Sequence, residues 1–453
     1  MSHLTKVLSA SLAAAILILA GCKSQQATII PPFEPDVDHP TNGWGLRKLD
    51  TKDYPDMRAA WNDKTNLEHA VDKSIKFLNA PSSNRFYPSG LPGDTITHDQ
   101  VLASLLDFKN LLHQNISADQ FQQQLLSRYD VYTSIGFDDK GSVWFTGYYT
   151  PIYYGSPTPT AEFKYPVYGR PSDLVSDPIT GQVQGTYPTR AELMQSGKLR
   201  GLEIMYFRKP IEPFIIQVQG SAEVIEPNGQ RVFLGYAGSN GREHKGLGSE
   251  LVKEGKIDKK HLSLPSVLAY FDAHPDELDR YVMRDDRFTF LKPYTSEEWP
   301  SGSLGVQVTP ERSLATDKTI FPRASLTFID VPKPTAAGDN VPYQGFFLDQ
   351  DTGGAIRAAG RADMYMGIGD AAGQLAGREF AQGRLYYFFL KPELVSPASF
   401  PNLRPTPARA PAAPRSNSRT PARSTGTTPR SSGTTSVPRP TGGDEMFPGA
   451  VNH

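Results

Sequence analysis

From Tyr129 onward the chain is cut into short β-branched and aromatic runs by Gly, Pro, Asn and Asp. VWFTGYYTP (143–151), FKYPVYG (163–169), PFIIQVQGSAEVI (213–225) and RVFLGYAGSNG (231–241) all have this texture. So do GSLGVQVTP (302–310), ASLTFIDVP (324–332), YQGFFLDQD (343–351) and GRLYYFFLKP (383–392). Runs of this length, bounded by residues that turn the chain, predict strands. With 39 Gly and 39 Pro among 453 residues, many turns and short strands are expected.

The region before Tyr129 has a different period. Leu67, Val71, Ile75 and Leu78 recur at helical spacing, as do Val101, Leu105, Phe108 and Leu112. Thr97 and Ser117, each with Gln three residues later, mark helix starts. Thr189 opens another short helix, and Leu264 to Val282 suggests a pair. The whole is mainly β with some α: one or more small barrels or sandwiches behind a helical N-terminal part.

The N-terminus, MSHLTKVLSASLAAAILILAGCKS, carries Lys6 and then an apolar run from Val7 to Ala20 that is short for a bilayer span. It closes on Leu19-Ala20-Gly21-Cys22, which looks like a bacterial lipobox. Cleavage before Cys22 and lipidation of its thiol would tether the protein to a membrane without a spanning helix. Lys23, in place of an aspartate, favours the outer membrane and hence the cell envelope as location. Cys22 is the sole cysteine, so no disulfide framework is available. Residues 22–55 read as a tether. Residues 399–453 read as a disordered Pro/Arg/Ser/Thr-rich tail with seven arginines and a net charge of +5.

A formal net charge of -1 gives no global case for nucleic acid binding. The nine histidines are scattered, without H-E-x-x-H or a Cys/His cluster, so no metal site is expected. There is no G-x-S-x-G elbow. Gly367-Ile368-Gly369-Asp370 fits a loose dinucleotide fingerprint, but no first βαβ unit precedes it. No cofactor is implied. Carboxylate chemistry remains: protonating a glycosidic oxygen needs an acid kept neutral by an apolar pocket. Asp363, between Ala362, Met364 and Tyr365, has such surroundings in sequence, and Asp351 precedes a Gly-Gly pair that permits close approach. An aspartate beside glycines is equally at home in a turn.

Seven motifs occur in order: FTGYYTP (145–151), YPVYG (165–169), QVQGSAEV (217–224), GYAGSNG (235–241), TPERSLATD (309–317), QDTGGAI (350–356) and GRADMYMGIGD (360–370). Together they resemble the membrane-bound lytic transglycosylase A family. The resemblance implies a double-psi β-barrel domain, over residues 56–149 and 294–398, interrupted by a smaller inserted β-barrel domain at 150–293. A sugar strand would lie in the groove between them. It implies a peptidoglycan lytic transglycosylase, cleaving the β-1,4 bond between N-acetylmuramic acid and N-acetylglucosamine without water to give 1,6-anhydro products. Asp363, Asp351 and Asp317 match the family's three aspartates, with Asp363 as the acid and then the base. Thr146, Gln219, Ser221 and Asn240 are candidates to hydrogen-bond the sugars, and Tyr148 and Tyr149 to stack on them. The implied partners are glycan strands and, through lipid on Cys22, a membrane; any cell-wall machinery is left open. Asp285-Asp286-Arg287-Phe288 stands where the family usually carries Asn-Pro-Ser-aromatic, which puts groove contacts and substrate preference in question. Two alternatives stay open: an inverting hydrolase using Asp351 and Asp363 with a bound water, and a non-catalytic glycan-binding envelope protein.

Overall fold

The computed structural model describes residues 43–177, 183–401 and 403. Cys22, the leader, most of the tether and the tail beyond residue 403 lie outside them. In chain order the strands are β1 (Leu46–Lys48), β2 (Ser89–Leu91), β3 (Asp94–Ile96), β4 (Tyr129–Ser134), β5 (Val143–Thr150), β6 (Ile152–Ser156), β7 (Tyr165–Tyr168) and β8 (Glu203–Phe207). They continue as β9 (Ala222–Ile225), β10 (Arg231–Ser239), β11 (Thr289–Tyr294), β12 (Ser313–Ala315), β13 (Leu326–Pro334), β14 (Asn340–Asp351), β15 (Arg361–Ile368) and β16 (Phe380–Leu390).

The main sheet runs β1-β4-β16-β13-β14-β12-β15-β5, and β16 also pairs with β5. That extra pairing closes six strands into a ring. β12–β14 and β5–β15 are parallel pairs and the other neighbours run antiparallel. Period-2 alternation buries both faces of the ring strands: Phe145, Leu314 and Met364 share one face by register, and Phe328, Phe346, Leu348 and Phe388 share the other, where Phe346 meets Phe108 at 5.0 Å; each is at most 2 % exposed. Each such side chain contributes about 1.5–3 kcal/mol of transfer free energy.

The helices Leu67–Asn79 and His98–Leu112 pack on this body, burying Leu67, Val71, Leu78, Val101, Leu105 and Phe108. Thr97 caps the second, accepting from the Gln100 amide, and Ser117 and Thr189 form capping boxes as their sequences predict. Gln350, one residue before Asp351, donates to the Ala70 carbonyl at 2.8 Å and the Ser74 hydroxyl at 3.0 Å. The first helix is thereby bonded to the end of β14.

The chain leaves the ring after β5 and builds a second, six-stranded sheet, β11-β10-β9-β6-β8-β7. It has its own core of Val167, Met205, Phe207, Val224, Leu234 and Leu291. Three short helices, Leu247–Lys253, Leu264–Ala273 and Leu278–Val282, join Ile211, Phe214 and Ile215 in a separate cluster.

Two expected strands differ. PFIIQVQ lies in a helix, Ile211–Gln219, ended by Gly220 at φ +77°. Its three isoleucines, Ile211, Ile215 and Ile216, are buried by the two neighbouring clusters, and this tertiary burial outweighs their strand preference. GSLGVQVTP forms no strand beyond a Ser301–Gln307 bridge. Its backbone turns on itself, Gly302 N donating to Val306 O at 3.0 Å.

Candidate active site

Four ring strands bring the chemistry into register. On β12, Ala315 faces Asp351 of β14 on one side and Asp363 of β15 on the other. Asp363 in turn faces Thr146 of β5. Cross-strand partners on one face lie close, so two carboxylates and a hydroxyl from three distant parts of the chain share one surface. Tyr148 and Tyr365 continue that face by period 2, their rings 5.1 Å apart.

Thr146 Oγ1 donates to Asp363 Oδ1 at 2.9 Å. Burial pushes the Asp363 carboxyl up to about 6, against Arg361 and the Thr146 hydroxyl, with the charge of Asp351 adding to the rise. No protein donor reaches Asp363 Oδ2 among the described residues. The Asp351 carboxylate is more fully occupied. Its Oδ1 accepts from Ser303 N and Thr352 N, both at 2.8 Å, and its Oδ2 from the Tyr148 hydroxyl at 2.9 Å. Burial still raises its pKa against these donors. Three donors aimed at one carboxylate suit its anionic form and leave it a poor base for activating water.

Asp317 is 6 % exposed and wholly occupied in holding loops. Its Oδ1 accepts from Thr319 N at 3.0 Å and Thr319 Oγ1 at 2.6 Å, and its Oδ2 from Ala358 N at 2.9 Å. Ala358 has φ +64°, so Asp317 pins a left-handed turn in the loop that joins the Asp351 and Asp363 strands.

The other candidates divide. Ser221 Oγ meets Thr150 Oγ1 at 3.1 Å, which meets the Tyr365 hydroxyl at 3.0 Å, a chain running from the inserted sheet into the ring. Gln219 Oε1 accepts from Tyr149 N at 3.0 Å, bonding the end of its helix to β5. Tyr149 is 7 % exposed, with its ring against Gly373. Asn240 is 1 % exposed: it donates to Pro188 O and Asp286 O and accepts from Phe288 N. Its side chain is thus taken up by the loop it closes.

The structure adds residues that sequence reasoning missed. Thr150 and Tyr365 lie on the face of Thr146 and Asp363, four and two residues on, so period 2 could have found them. Glu379 is buried behind β5, both its carboxyl oxygens lacking a hydrogen-bond partner. Burial pushes it up to about 8, against Lys333, with Asp363 adding to the rise. Among the described residues no group of His, Cys, Asp and Glu could hold a metal ion.

Two domain families match the chain: the MltA-specific insert domain over residues 144–292 and the 3D domain over residues 312–389. Membrane-bound lytic murein transglycosylase A of Vibrio cholerae is 32 % identical over 257 residues, which cover 55 % of this chain and 66 % of the relative. The Escherichia coli K12 protein of the same name is 30 % identical over 261 residues, covering 57 % and 68 %. The chain thus spans about two thirds of the length of these relatives. A membrane-bound lytic murein transglycosylase from Agrobacterium tumefaciens superposes with a TM-score of 0.63 at 24 % identity, covering 78 % of this chain and 99 % of that one. E. coli MltA with bound chitohexaose superposes at 0.59 and 23 % identity, covering 79 % and 99 %. These structures share the fold with the ring and inserted sheet described above. On its sequence relatives, the chain belongs to the membrane-bound lytic murein transglycosylase A family.

Proposed function

We propose that this protein is a peptidoglycan lytic transglycosylase in which Asp363 is the proton carrier. The observation that carries the reading is the Asp363 carboxyl itself. It is raised to about 6, held at one oxygen by Thr146, and set two strands from a second carboxylate.

Near neutral pH a useful fraction of Asp363 retains its proton. That proton passes from Oδ2 to the glycosidic oxygen as the bond to muramoyl C1 breaks, and the bonding pair leaves with the oxygen. Positive charge grows on C1 and the ring oxygen, and the Asp351 carboxylate, fixed by three donors, stabilises it without reorganising. Asp363, now ionised, takes the proton from the C6 hydroxyl as O6 closes on C1. The product is a 1,6-anhydromuramoyl end and a free hydroxyl on the departing N-acetylglucosamine. No water enters. The nucleophile belongs to the substrate, so its high effective molarity replaces a second catalytic base. Asp317 acts at a distance, holding the loop between the two carboxylate strands.

Cleavage before Cys22 and lipidation there would hold this chemistry at the periplasmic face of the outer membrane, within reach of the glycan strands.

Mass spectrometry of soluble products from sacculi tests the reading, with wild type and Asp363→Ala, both truncated before Cys22. Anhydromuropeptides from wild type alone are expected. Reducing-end products would replace the reading with hydrolysis. Bound glycan without any product would leave a binding module.

A further inference from the structure

Two arginines without an ion-pair partner among the described residues stand at the loop between β14 and β15, one from the inserted region and one from the loop itself. Arg287 lies on the inserted side, just before β11. Its amide donates to Asp285 Oδ1 at 3.2 Å, its carbonyl accepts from Arg190 Nη2 at 2.5 Å, and its Nη1 donates to the Arg242 carbonyl at 3.1 Å. The backbone is therefore fixed and the guanidinium is aimed. It ends against Gly354, in the place a Cβ at 354 would take. Gly354 lies three residues beyond Asp351.

Arg357 stands on the same loop, between the strands that carry Asp351 and Asp363. It is exposed, and the next residue, Ala358, is pinned by Asp317. Burial pushes the Arg287 guanidinium below its ordinary value and the like charge of Arg357 adds to that fall, while Tyr236 and Asp285 oppose it. Among the described residues no carboxylate lies within ion-pair distance of either guanidinium. The nearby acids have other partners: Asp285 takes His244 and the Lys245 amide, and Asp286 takes Lys245 Nζ at 2.9 Å.

Two guanidinium groups at one loop, three to six residues beyond Asp351, make a local positive field that an anion would complement. A planar guanidinium with unused donors suits a carboxylate in two-point contact. We propose that Arg287 and Arg357 form a carboxylate-recognition site that selects glycan strands bearing an acidic group at the muramoyl unit next to the scissile bond. This rests on the transglycosylase reading for the identity of the strand. A muramoyl residue offers such an anion in two forms: the free lactyl carboxylate of a peptide-free strand, or a carboxylate of the peptide stem. An uncharged chito-oligosaccharide offers neither.

The test uses Arg287→Gln and Arg357→Gln in the protein truncated before Cys22. Arg357→Gln removes an exposed side chain without a hydrogen bond, so it reports on the site even if Arg287→Gln disturbs the inserted sheet. Calorimetry measures binding of peptide-free strands, stem-bearing strands and chitohexaose at low and high salt, in an Asp363→Asn background that prevents turnover. Each substitution is expected to weaken binding of the acidic strands by about tenfold or more and to flatten its salt dependence. Binding of chitohexaose should stay within about twofold, a change of no more than about 0.4 kcal/mol. Weakening on peptide-free strands assigns the lactyl carboxylate, and weakening on stem-bearing strands alone assigns the peptide. Equal weakening on chitohexaose, or none on any strand, overturns the proposal. Anhydro-product release by the arginine-intact protein is scored separately: its absence removes the transglycosylase reading, while the binding comparison still decides the arginine site.

Discussion

Thr146 and Asp363 face each other on parallel strands 217 residues apart in sequence, and the threonine hydroxyl donates to the carboxylate at 2.9 Å. This bond favours the charged form of a group that burial would otherwise hold neutral. Thr146→Val keeps the shape and removes the donor. The alkaline limb of the kcat/KM profile, set by Asp363 at about 6, should move upward by on the order of half to one pH unit. A limb that stays in place would mean that another group sets it.

Asp363→Asn should abolish anhydro-product release and stabilise the protein above neutral pH. The folded-state pKa is raised from 3.8 to about 6, so the protonated carboxyl's stability is full below 3.8 and is lost as pH rises through about 6. The loss approaches about 3 kcal/mol, an upper limit because the side chain is partly exposed. The variant should melt higher than wild type at pH 7.5 and level with it near pH 3.5. A lower melting temperature at pH 7.5 would contradict the assigned environment.

Glu379 makes the same argument at a second place. Its pKa rises from 4.5 to about 8, so wild-type stability should fall as pH climbs from 4.5 through 8. The cost reaches a few kcal/mol at the alkaline end. Glu379→Gln removes this slope, and its urea midpoint should exceed that of wild type at pH 8 but not at pH 4.5. Parallel pH dependence in the two proteins would show that Glu379 is not held neutral.

Asp349 lies fully buried in the ring, accepting from Thr316 Oγ1 at 2.9 Å, from Tyr387 OH at 2.8 Å and from Lys318 Nζ. Burial pushes the Lys318 ammonium down, and Asp349 opposes that fall. Asp349→Ala leaves this ammonium without its partner and should cost about 3–5 kcal/mol. Asp349→Asn with Lys318→Met removes both charges and should recover much of it, as denaturant midpoints would show. No recovery in the double variant would locate the cost in the hydroxyl network instead.

How much of this was legible in sequence depended on how local its causes were. The caps at Thr97, Ser117 and Thr189 sit three residues from the amides they accept from, and the sequence shows them directly. The helix Ile211–Gln219 was not legible, because its isoleucines signal a strand until two clusters claim them. Asp351 was visible beside its Gly-Gly pair and Asp363 among apolar neighbours, but their bonds to Tyr148 and Thr146 cross more than 200 residues and only the ring's register creates them. The bonds of Asn240 were hidden in the same way: the backbone groups it serves, at Pro188, Asp286 and Phe288, become its neighbours only after folding.

The pairing of β16 with β5 has a consequence for company as well as for stability. A closed ring presents no strand edge to another chain, and β1, the strand at the sheet's margin, is three residues long. Proteins that recruit one another by adding a strand therefore have little to grip on the ring.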